Sequence, residues 1–124
     1  MSAGVGVDRE RWARLTIFEQ MGNSGAEVGR MFSALECGDR DRAIAAIGRA
    51  EDLFDATAEL LAAQKSPRLR EVLRAREEYL RIASDEPFDP DDARSLERYF
   101  MHFALAARTQ TLRERAGGTH GPDR

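Results

Sequence analysis

The chain has 124 residues, 42% of them hydrophobic and 33% charged, with a formal net charge of −3. This balance excludes a disordered polymer and supplies enough apolar side chain for one core. A generic nucleic-acid binder carries a basic surplus, so the acidic balance speaks against one. No apolar run approaches the ~18 residues that a membrane span needs. All but one of the 19 basic residues are arginine, which follows from GC-rich coding as readily as from phosphate or carboxylate recognition. Cys37 is the single cysteine, so the chain has no disulfide framework and no cysteine metal cluster, and a reducing, cytoplasmic setting is expected.

In chain order, residues 1–7 have neither the basic start nor the apolar stretch of a leader peptide and are expected to be disordered. Asp8 is a good N-cap for a first helix over about 8–37, closed by Gly38. Asp39 caps a second over about 39–64, with Ala43, Ala46, Ile47, Ala50, Leu53, Phe54, Leu60 and Leu61 on its apolar face. Ser66-Pro67 opens a third over about 67–83, carrying Leu69, Val72, Leu73, Tyr79, Leu80 and Ala83. After the loop 84–88, Asp89-Pro90-Asp91-Asp92 places negative charge at the start of a fourth helix, about 90–115. That helix fades at Gly117-Gly118, leaving 116–124 as a disordered tail. Short connections between long helices predict one all-α domain, 8–115, folded as an up-down-up-down four-helix bundle.

Three glycines interrupt the first helix, each costing roughly 0.8–1 kcal/mol relative to alanine. At helical phase Gly22, Gly25, Ala26 and Gly29 form one narrow stripe beside the bulky ridge of Ile17, Met21, Val28, Phe32 and Leu35. A smooth groove beside a ridge suits close approach by another backbone. No strand precedes the glycines and no Gly-Lys-Ser/Thr ending follows, so a phosphate-binding loop is excluded. A second apolar line, Met101, Leu105 and Leu112, lies roughly opposite the core face of the fourth helix and marks a partner surface. These two features give the interface candidates.

Among the charges, Arg76 points to the centre of an apolar face and requires a carboxylate, because an unpaired buried charge is prohibitive. Glu27, Glu51 and Asp55, at the margins of neighbouring faces, are its candidate partners. An internal ion pair that sets helix register is the favoured reading, and an anion-binding pocket the alternative. No Glu-x-x-His occurs, so a di-iron site has no ligands, and no metal or cofactor is expected.

Arg98 and His102 project from one side of the fourth helix, away from its core positions. An Arg followed by a His on a last helix resembles the HEPN bundles, although Tyr99, Phe100 and Met101 make a short spacer. That resemblance implies nucleotide binding or RNA cleavage beside a nucleotidyltransferase, with Arg98 holding a phosphate and His102 moving the proton. The segments 15–23 and 25–30, Arg68-Leu69-Arg70-Glu71-Val72-Leu73, and 99–108 resemble a family of small bacterial and archaeal helical proteins with no assigned activity. This second likeness spans Leu15 to Arg108, departs from the family at Ser24, and implies a helical bundle.

The resulting expectation is a non-catalytic interaction and oligomerisation module, a homo-oligomer or the mate of a helical partner protein. The alternatives are the HEPN-type activity and a small helical subunit of a larger complex.

Overall fold

The computed structural model describes residues 6–120, with side chains through residue 117. It is all-helical, with α1 Arg9–Ala13, α2 Ile17–Glu36, α3 Arg40–Ala63, α4 Leu69–Ser84 and α5 Pro90–His120, and no strand among the described residues.

The single helix expected over 8–37 is two helices. Thr16 sits in extended backbone and closes a capping box on α2: its hydroxyl accepts from the Glu19 amide at 3.1 Å, and the Glu19 carboxylate accepts from the Thr16 amide at 2.8 Å. Satisfying these end groups at Thr16 competes with continuing the helix through it, and the cap wins. Downstream, α2 ends in a Schellman turn. Gly38 adopts φ +76°, and the Asp39 amide donates to the Ala34 carbonyl at 2.8 Å. The same closure ends α3, with Lys65 in the left-handed region at φ +53° where glycine is the usual choice. Pro67 and Arg68 form a turn rather than the first residues of α4. At the other end α5 continues to His120, past Gly117 and Gly118 where the sequence places its close. The tail expected over 116–124 is therefore helical as far as residue 120. Residues 1–5 and 121–124 lie outside the described chain.

Packing centres on α2, which lies against both α3 and α5, while α4 rests on α3 and α5 and α1 on α3. The core draws Met21, Val28 and Phe32 from α2, Phe54 from α3, Tyr79 and Ile82 from α4, and Leu96 and Phe100 from α5. Phe54 is its hub, stacked on Tyr79 at 5.3 Å between ring centroids and met edge-on by Phe100 at 6.0 Å. Leu73, assigned by periodicity to the apolar face of α4, is exposed.

The glycines of α2 are filled by α5. A Cβ on Gly25 would lie 2.3 Å from the Cβ of Phe100, and one on Gly22 would lie 3.1 Å from the Cα of Ala104. Gly29 is less constrained, its nearest neighbour across the gap being a Glu97 carboxylate oxygen at 3.8 Å. Gly48 on α3 meets nothing within 4 Å. The two kinds of helical glycine therefore respond oppositely to alanine. Gly25→Ala adds an overpacking cost of about 1–3 kcal/mol that exceeds the ~1 kcal/mol of helix propensity gained. Gly48→Ala keeps the propensity gain alone. Thermal unfolding followed by circular dichroism should give a lower midpoint for Gly25→Ala and a higher one for Gly48→Ala.

Candidate functional site

Three groups of residues are the candidates for a functional site, while Ile44 on α3 is exposed outside all three. The first is a buried network under the α1–α2 junction. Trp12 Nε1 donates to Thr57 Oγ1 at 2.9 Å, and that hydroxyl donates to Gln20 Oε1 at 3.0 Å. Gln20 Nε2 in turn donates to the carbonyls of Trp12 and Leu15, each at 3.1 Å. Trp12, Gln20 and Thr57 are all buried, and their side-chain hydrogen-bonding groups are satisfied by one another and by the turn. The network fixes the direction in which the chain enters α2. It has the character of a structural clamp, since its polar atoms point at each other and none at a cavity.

The second group lies between α3 and α4. Arg76 Nε donates to both Glu51 oxygens, at 3.0 and 3.1 Å, and a guanidinium nitrogen makes a further contact with Oε1. The Tyr79 hydroxyl donates to the other oxygen of Glu51. Of the three candidate partners, Glu51 is the one that bonds Arg76. Asp55 contributes only through its field. Glu27 is engaged elsewhere, by Arg49 at 2.9 Å and Arg30 at 3.0 Å. The guanidinium is also less buried than its place on the apolar face suggests: the Arg76 side chain is 37% exposed and that of Glu51 25%. An arginine at such a site keeps its stem against the core and its charge near water. Burial pushes the Glu51 carboxyl up, but the hydrogen bonds from Arg76 and Tyr79 and the arginine's charge outweigh it and hold the group below the usual carboxylate range. Tyr79, three residues beyond Arg76, was assigned by sequence to the apolar face and not to the polar cluster, although that spacing puts both side chains on one face. Within the cluster the charges of Arg76 and Glu51 are paired with each other, and the second terminal nitrogen of the guanidinium makes no bond among the described residues.

The third group is the surface of α5 and the groove it shares with α2. Gly22 and Gly25 lie in this groove against the chain's own α5, so they join helices of one molecule rather than two chains. Ala26, Gly29, Glu97 and Met101 line the open part. Beyond the lip Met101, Leu105 and Leu112 are 55%, 48% and 57% exposed. Glu97, another residue missed by the sequence reading, forms no hydrogen bond or salt bridge among the described residues, although the field of Arg94 favours its charge. Burial, together with the nearby charge of Glu36, raises its carboxyl above the usual range. Arg98 and His102 sit on the same exposed side of α5, with Arg98 donating to Ser95 at 3.1 Å.

No cluster of His, Cys, Asp and Glu able to hold a metal ion occurs among the described residues. No helix there is long and apolar enough to cross a membrane.

Two measurements probe the polar clusters. Thr57→Val leaves Trp12 Nε1 and Gln20 Oε1 buried without partners, each worth about 1–3 kcal/mol, and chemical denaturation should register a loss in that range or above. Glu51→Gln should destabilise the fold at pH 7. Because the folded-state group is held below its unfolded value, its contribution is present above the unfolded value, near pH 4.3, and is lost as pH falls through the folded one. The difference between Glu51→Gln and the native chain in a pH series of denaturation curves should therefore shrink on acidification below about pH 4. No model of a known protein family matches this chain, and neither does any curated protein or solved structure.

Proposed function

We propose that the protein is a non-catalytic interaction module that self-associates through the exposed apolar line of α5. One observation carries the reading: Met101, Leu105 and Leu112 stand about half exposed along a single line of one helix, although the chain already has a core able to take large side chains. Such an array costs solvation free energy in a monomer and is recovered by covering it, at roughly 25 cal/mol per Å² of apolar surface removed from water. The buried Trp12–Thr57–Gln20 network and the Glu51–Arg76–Tyr79 cluster support the scaffold reading, because they bond one helix to another within the chain.

The architecture we assign to the module is an up-down-up-down bundle of α2 to α5 with α1 as an N-terminal addition. Cross-helix pairs support it. On α2 and α5, Gly29, Gly25 and Gly22 face Glu97, Phe100 and Ala104, one number falling as the other rises. On α2 and α3, Gln20 meets Thr57 and Glu27 meets Arg49. On α4 and α5, Glu71 meets Tyr99 and Arg81 meets Asp92. Each series is that of antiparallel neighbours. The lone exposed Cys37 fits a reducing, cytoplasmic setting.

Sedimentation velocity of the native chain at micromolar concentration should show a dimer or larger species. Leu105→Glu, which sets a charge in the middle of the line, should move the distribution towards monomer while leaving the helical circular dichroism unchanged. A native chain that sediments strictly as a monomer would overturn the proposal.

A further inference from the structure

Resting on the self-association reading, we infer that the occupant of this face is α5 of a second copy, packed antiparallel about a two-fold axis that passes near residues 106–107.

The exposed line is longer than its three apolar members. Arg98, Met101, Leu105, Arg108, Leu112 and Arg115 are all exposed and follow one another at alternating steps of three and four, the spacing of a coiled-coil seam. Two such seams can meet in parallel or antiparallel order, and the distribution of charge chooses between them. On the N-terminal half of α5 the carboxylates Asp91, Asp92 and Glu97 outnumber Arg94 and Arg98. On the C-terminal half Arg108, Arg113 and Arg115 outnumber Glu114. A parallel pair stacks like on like, whereas an antiparallel pair lays the basic end of each helix on the acidic start of the other and opposes the two helix dipoles.

The register follows from which side chains can match themselves. Met101 and Leu112 lie at nearly the same angle around α5 and are equidistant from a point between residues 106 and 107. A two-fold axis there sets Met101 of each copy against Leu112 of the other, with the two Leu105 side chains flanking the axis. Glu97 and Arg115 are about five full turns apart and so project from the same flank. The same axis carries the Arg115 guanidinium of one copy onto Glu97 of its mate. There it also meets the field of Glu36, the neighbour that already disfavours the Glu97 charge. Within one chain, neither Arg108 nor Arg115 has a partner among the described residues. Length permits the contact: α5 rises about 46 Å against about 30 Å for α2, and residues 112–117 are all exposed. The C-terminal end of α5 therefore stands clear to reach the second copy, and the groove beside Met101, floored by Ala26 and Gly29, leaves room for Leu112.

The test uses the full chain with Cys37→Ser, so that introduced cysteines are the only thiols. Met101→Cys and Leu112→Cys variants are mixed in equal amounts and oxidised. A mixed disulfide between position 101 of one chain and position 112 of the other, in excess of either same-position product, is the expected outcome. Predominant 101–101 or 112–112 products would overturn the antiparallel register while leaving self-association standing. A second measurement needs no cysteine: Arg115→Glu should weaken dimerisation by about tenfold, and adding Glu97→Arg to the same chain should restore it. Failure of the double variant to recover affinity counts against the Glu97–Arg115 contact. A strictly monomeric native chain overturns the inference and the self-association reading together.

Discussion

The approach of α2 to α5 is the constraint on which the rest of the molecule depends. With no Cβ on Gly25, the Phe100 side chain can leave its own helix where an alanine methyl would stand and still reach Phe54 in the core. Gly22 does the same for the backbone at Ala104. The ~1 kcal/mol that each glycine costs as a helix residue is offset by the aromatic packing it admits. Because α2 is also the helix that lies against α3, the depth at which α5 seats sets the spacing of the whole core. Phe100 and Tyr79 both pack on Phe54, and the first of these contacts depends on that approach.

Polar chemistry then fixes what apolar packing leaves free. A hydrophobic face tolerates rotation and sliding of a helix by part of a turn. The Glu51–Arg76–Tyr79 cluster does not, since a carboxylate bonded by a guanidinium and a phenol has few acceptable positions. Glu71 with Tyr99, at 3.0 Å, does the same for α4 against α5. These clusters lie at the margins of the core, where side chains are partly solvated, so the desolvation cost that makes a deep ion pair unprofitable is reduced.

Much of this was legible in the sequence, and the limits have physical causes. The glycine stripe has a phase, and phase says which side of a helix is smooth. It does not say whether the covering backbone belongs to the same chain, because that depends on where a helix almost 80 residues away is placed. Arg76 announces the need for an anion, but three carboxylates satisfy the pattern and only the rotation of α3 against α4 selects Glu51. The division of the first helix was available in Thr16-x-x-Glu19, a capping box ahead of an apolar run. A continuous amphipathic pattern on both sides masked it. Gln20 and Thr57 look like ordinary flank residues because a buried hydrogen-bond network is a property of pairs far apart in the chain.

The break at Thr16 has a dynamic consequence. A five-residue helix is too short to hold its own hydrogen bonds in water, so α1 persists only while Trp12 remains docked on α3. The capping box makes α2 self-sufficient at its start, which means that α1 can detach without unwinding anything downstream. Residues 6–15 therefore form a separate unit of local opening, with amide protection well below that of α2 and coupled to release of the Trp12 indole from Thr57. The chain carries a latch at one end whose motion is insulated, by two hydrogen bonds, from the helix that organises the core.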